Sequence, residues 1–116
     1  MDERIQKWLY DIKFAIDEID KYFGNNEKNF FDYQKNIMLK RAIERDLEII
    51  GEAINRILTK DSSFEKKITD AKAIVGLRNQ VIHSYDNISD ENVWSIIINH
   101  LPKLKTEINN LIESNN

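Results

Sequence analysis

Residues 33–58, YQKNIMLKRAIERDLEIIGEAINRIL, decide the fold. Leu39, Ile43, Leu47, Ile50, Ile54 and Ile57 recur at three- and four-residue steps, which places them on one side of a long helix. Ile37, Ala42, Ile49 and Ala53 fall off that stripe. A helix that is apolar on two sides must be covered on both, by other helices or by a second subunit.

Upstream, residues 2–23 carry Ile5, Trp8, Leu9, Ile12, Ile16 and Ile19 at the same spacing and predict an amphipathic helix that stops at Gly24. The polar stretch from Gly24 to Asn29 reads as a loop. Downstream, Thr59 to Ser63 is a break in which Asp61, Ser62 and Ser63 are all suitable N-caps. A short helical piece over 64–69 then leads into a helix over about 70–85, with Ile74, Leu77, Val81 and Ile82 facing inward and Gly76 permitting a close backbone approach. Asp86, Asn87 and Ile88 form a turn. Ser89 caps a last helix whose stripe is Val93, Ile97, Leu101, Leu104, Ile108 and Leu111, with Asp90 and Glu91 complementing its positive end. Pro102 interrupts that helix and predicts a kink near Ile98 or Asn99 unless bending absorbs it. The expected architecture is an all-α, antiparallel four-helix bundle with a short additional helix, in one domain over 1–116.

The composition agrees with this reading. A chain of 116 residues that is 41% hydrophobic and 32% charged, with three Gly and one Pro, has the balance of a soluble helical domain. With no Cys there is no disulfide, and with no long apolar run there is no membrane span, which together point to a cytoplasmic protein. The net charge of −3 excludes a general electrostatic binder of nucleic acid, so any such contact must be local. Lys35, Lys40, Arg41, Arg45 and Arg56 offer a basic component, but Glu44, Glu48 and Glu52 interleave with it as on an ordinary solvated face.

Reactive side chains crowd together at one place, Leu77 Arg78 Asn79 Gln80 Val81 Ile82 His83 Ser84 Tyr85. Arginine holds two phosphate oxygens with its planar fork, and histidine exchanges a proton near neutral pH. The pair suits phosphodiester cleavage in RNA, with His83 deprotonating the 2′-hydroxyl and Arg78 stabilising charge on the phosphate, and requires neither a metal nor another cofactor. Asn79 lies four residues before His83 and is placed to orient the ring or to bind a phosphate oxygen. Arg78 and His83 diverge by about 140° around a helix and about 7.5 Å along it, so one copy of the motif is incomplete. Two copies across a two-fold axis would bring Arg78 of one toward His83 of the other. Tyr85, seven residues from Arg78, shares its face. His100 is expected at the surface, Glu52 as a carboxylate bonded to a neighbour, and Trp8 and Trp94 in the core or at an interface, with stacking on RNA bases the lesser alternative.

The sequence resembles the HepT toxins of the HEPN superfamily over most of its length. The resemblance is carried by Ala42 Ile43 Glu44 Arg45 Asp46 Leu47 Glu48 Ile49 Ile50 Gly51 Glu52 Ala53, by Gly76 Leu77 Arg78 Asn79 with Ile82 His83 and Tyr85, and by Val93 Trp94 followed by Leu101 Pro102. It implies a homodimeric endoribonuclease toxin of a type VII toxin–antitoxin pair, with RNA as substrate and Arg78 and His83 as the catalytic pair. It also implies a partner, the minimal nucleotidyltransferase antitoxin MntA, which silences such toxins by adenylylating the tyrosine at the position of Tyr85. Ser84 departs from the glycine common at its position. The alternative expectation is a helical module that binds a nucleotide or docks the nucleotidyltransferase without cutting RNA.

Overall fold

The computed structural model describes residues 2–24, 26–83 and 89–114, and the side chains of 80–83 lie outside the description. The inward packing expected of Val81 and Ile82 and the turn expected over Asp86 to Ile88 therefore fall outside the described residues.

The first helix, α1, spans Glu3–Phe23. The Asp2 side chain accepts from Arg4 N at 2.7 Å and supplies its N-cap. It ends at Gly24, whose φ of 59° is a conformation that side chains disfavour. Ile5, Leu9, Ile12, Ile16 and Ile19 are buried along it, as the period predicts.

The single helix expected over 33–58 is divided. α2 spans Phe30–Lys35 and α3 spans Ile37–Lys60, with Asn36 between them in an extended conformation. Asn36 Oδ1 accepts from Leu39 N at 3.0 Å, so the asparagine ends one helix and caps the next. The break leaves Ile37 and Met38 at the surface, while Ile43, Leu47, Ile50, Ile54 and Ile57 of the main stripe are buried. Of the residues off that stripe, Ala53 is buried and Ile49 is partly open.

Asp61 caps a 3-10 turn over Ser62–Lys66, accepting from Ser63 N at 3.0 Å. This turn stands where a short helix over 64–69 is expected, and it sinks Phe64 into the core. α4 spans Ala71–His83. α5 spans Asp90–Ser95, capped by Ser89, whose hydroxyl accepts from Asn92 N. A π turn over Ile96–His100 joins it directly to α6, Leu101–Glu113. Pro102 explains the π turn. Proline has no N–H and its ring collides with the carbonyl four residues back, so the ladder widens and Leu101 N–H reaches Ile96 O. The disturbance expected near Ile98 is absorbed in this way.

Cross-helix contacts fix the directions. Lys60 pairs with Asp2 and Tyr22 bonds Asp46, so α3 runs antiparallel to α1. Lys13 bonds Asn109 while Lys105 pairs with Asp20, so α6 is antiparallel to α1 as well. α1 packs chiefly on α3 and α6, and α3 also carries α4. The result measures 42 × 32 × 19 Å, about two helix diameters thick. Trp94 packs against Phe23, Phe30 and Tyr33 with ring centroids 6.0, 5.7 and 5.3 Å away, tying α2 and α5 to the end of α1. No helix among the described residues is long and apolar enough to cross a membrane.

Candidate active site

Arg78 sits on the face of α4 that crosses α3, and a glycine makes its seat. A Cβ built at Gly51 would overlap Arg78 Cβ and lie 2.7 Å from its Cγ. Only a residue without a side chain lets the stem of the arginine pass this close. The close approach expected at Gly76 is absent, because nothing lies within 4 Å of a Cβ added there.

The guanidinium is held at both ends. Arg78 Nη2 donates to Glu52 Oε2, and Nη1 donates to Asn79 Oδ1 at 3.0 Å. Glu52 Oε1 accepts from Arg56 Nε at 2.8 Å, so one carboxylate carries two arginines and the trio keeps a net positive charge. Arg78 Nε is buried without a hydrogen-bond partner among the described residues. A guanidinium has five N–H donors, and with Nε buried these two bonds leave one N–H on each terminal nitrogen for an anion. The Arg78 side chain is 22% exposed, which restricts its motion while leaving it reachable.

A groove of about 430 Å³ opens beside it. Trp8 of α1 with Ile49 and Ala53 of α3 provides apolar lining, and Glu48, Glu52 and Arg56 stand along the α3 side. Trp8 is thus neither wholly core nor remote from the motif. Glu52 joins α3 to the motif helix, which answers its expected role as a bonded carboxylate. Asn79 is exposed and bonded to Arg78, so its amide oxygen serves the arginine.

α4 is helical through His83, so the divergence calculated for positions 78 and 83 holds for the backbone. The His83 side chain lies outside the described residues, and so do Ser84 and Tyr85 altogether. His100 stands apart from the groove. Its Nδ1 lies 2.7 Å from Asp70 Oδ2, and this bond, with Lys103 beside it, holds the Asp70 carboxyl below the usual carboxylate range. The residue is half-buried and ties the π turn to the start of α4, a structural tie that the expected surface position did not include.

The basic component of α3 is largely paired. Lys40 reaches Asp90 at 3.0 Å and Arg41 reaches Glu44 at 2.9 Å. Pairing leaves the arginines at Glu52 as the cations that border the groove. Sequence reasoning missed Gly51 as the seat of Arg78, and the only signal was a glycine in the middle of a strong helical pattern.

The family described as Ribonuclease HepT-like matches residues 12–111. A protein of Methanocaldococcus jannaschii named as a candidate RNase is 34% identical over 106 residues, which cover 90% of this chain and 93% of that protein. A candidate RNase of Caldanaerobacter subterraneus is 32% identical over 85 residues, 73% of this chain and 75% of the relative. A protein of Thermococcus cleftensis named a probable ribonuclease HepT is 28% identical over 104 residues, 90% of this chain and 92% of its own. No solved structure matches. With the family match running from the middle of α1 to the end of α6 and enclosing Gly51, Glu52 and Arg78, the chain belongs to the HepT-like ribonuclease family.

Proposed function

We propose that this protein is a metal-independent endoribonuclease toxin that cuts RNA at a site shared between two copies. The observation that carries this reading is Arg78, seated on Gly51 and steadied by Glu52 at the edge of an open groove, with spare donors on its terminal nitrogens. The relatives' names supply the substrate class. In the reaction the 2′-oxygen attacks phosphorus and gives its proton to the imidazole of His83. The bond from phosphorus to the 5′-oxygen breaks, that oxygen takes up a proton, and a 2′,3′-cyclic phosphate remains. Arg78 binds the non-bridging oxygens as their charge grows. Because positions 78 and 83 diverge by about 140° around a helix, the arginine of one copy serves the histidine of the other.

The test is cleavage of RNA in the presence of a chelator. Arg78→Ala and His83→Ala should each lower the rate by at least about 10²-fold, the usual cost of a lost transition-state donor or general base, with melting temperatures close to the parent. Mixing the two inactive variants should restore cleavage in the mixed dimers. Mutants as active as the parent would end this reading.

The same reading places regulation at Tyr85, where an adenylyl group from a partner nucleotidyltransferase would add bulk and negative charge to the motif. Coexpression with an MntA-like enzyme should add an adenylyl mass to the wild type and none to Tyr85→Phe. An adduct that persists in Tyr85→Phe places the modification elsewhere.

A further inference from the structure

The groove beside Arg78 is lined by cationic, anionic and apolar side chains. Glu48, Glu52 and Arg56 follow one another at four-residue steps along α3, about 6 Å apart per step. Arg56 and Arg78 share Glu52, Glu48 and Asp11 add two further carboxylates, and Trp8, Ile49 and Ala53 offer apolar surface within the same groove. These kinds of side chain match the parts of a nucleotide, an anionic phosphate and a flat apolar ring with a polar edge.

The carboxylates of the groove differ in what they already hold. Glu52 is engaged by two arginines. Asp11 is engaged by Lys7 at 2.9 Å. Glu48 is half-buried and has neither a hydrogen bond nor an ion pair with any described residue. A partly exposed carboxylate with no protein donor accepts from water, which the donors of a ligand can replace.

We propose that the groove is a base-binding subsite and that Glu48 makes it select guanine in the nucleotide next to the cut. The inference rests on the nuclease reading for the phosphate at Arg78. An ionised carboxylate only accepts, with two oxygens side by side. Guanine alone among the four RNA bases presents two adjacent donors on its Watson–Crick edge, N1–H and the N2 amino group. Adenine and cytosine set a donor beside an acceptor there, and uracil sets one donor between two acceptors, so each turns a lone pair toward the carboxylate. Trp8 supplies a ring face for stacking, which favours no base over another and adds affinity for all. Selection is therefore the work of Glu48, and retention the work of Trp8 and the arginines.

Two measurements on the full chain test this. Short RNAs with one guanosine in otherwise uniform context should be cut beside it about tenfold or more faster than beside adenosine, cytidine or uridine, the scale of one bidentate base contact. Replacing that guanosine by inosine, which lacks the N2 amino group, should remove most of the preference without touching the protein. Glu48→Gln should level the four bases, while Trp8→Leu should weaken all of them alike. Guanosine monophosphate, followed by quenching of tryptophan fluorescence, should bind the parent more tightly than the other three nucleotides, and Glu48→Gln should lose that margin. Cleavage that needs Arg78 yet ignores the base, or that prefers a base other than guanine, overturns the subsite and spares the nuclease reading. Guanosine binding that needs Glu48, in a protein whose RNA cleavage does not need Arg78, keeps the subsite and removes the nuclease reading.

Discussion

α3 has two seams, and they are built in different ways. Toward α1 it presents Ile43, Leu47, Ile50, Ile54 and Ile57, all 1% exposed or less, against Leu9, Ile12, Ile16 and Ile19. Toward α4 its contact at Gly51 is a glycine under an arginine stem, followed by an ion pair and a buried nitrogen with no partner among the described residues. Apolar side chains stabilise a fold by leaving water, and a close-packed set resists distortion. A guanidinium held beside a groove gains less from burial, and its partial exposure keeps it available to a ligand. α4 buries Ala71, Ile74 and Leu77 as well, so both seams stabilise the fold and the second also places a charge.

Gly51→Ala tests the second seam and should have the largest effect. The added methyl meets Arg78 Cβ, close to the backbone, so α4 must move rather than a side-chain tip. RNA cleavage should fall by about 10²-fold, as when a reacting group is displaced by an ångström. Stability should fall by about 1–3 kcal/mol from overpacking, read by denaturant unfolding. Ile12→Ala is the matched change in the first seam. It should cost about 2–5 kcal/mol of stability and leave cleavage per folded molecule unchanged. Loss of cleavage in fully folded Ile12→Ala protein would break the division between the seams.

The smallest expected effect concerns the one charged residue among the described residues that is buried, Asp46, 2% exposed at the edge of the first seam. Burial raises its pKa, partly opposed by the hydrogen bond from Tyr22 at 2.8 Å. Tyr22 also lies 2.7 Å from Glu18, and its single proton serves one carboxylate at a time. The two acids cross that hydroxyl from α1 and α3, and together with burial they raise the phenol's own pKa. A carboxyl whose folded-state pKa lies above its unfolded value favours folding most when protonated. Its contribution is present below the ordinary value of 3.8 and is lost as pH rises through the folded-state value. Asp46→Asn should therefore be more stable than the parent at neutral pH, by no more than about 1 kcal/mol, with the gap closing toward pH 3 in melting curves. A gap that widens on acidification would reverse the assignment.

Much of this was legible in the sequence. α1 was, because its period is unbroken and Gly24 ends it. Arg78 stood out by residue type and by its spacing to His83, and the structure sets it beside a groove. The division at Asn36 was not, since the apolar period runs on from Tyr33 through Ile37 and an N-cap asparagine resembles any polar residue of a helix. Pro102 announced a disturbance but not its form, because bending and a π turn both relieve a missing N–H. Gly51 and Glu48 were the least legible. The value of a glycine depends on which residue crosses it, and a lone carboxylate among many differs only in what its neighbours leave undone.

The two glycines inside helices bear on any effort to raise the melting point of this protein. Alanine in place of a helical glycine usually adds stability, about 0.4–1 kcal/mol where the backbone already suits it, so a ranking by helix propensity would nominate both. Gly76 has open space where the methyl would go and is a sound target. At Gly51 the same methyl meets the arginine stem, so the nomination that propensity makes there costs both durability and the seat of the charge.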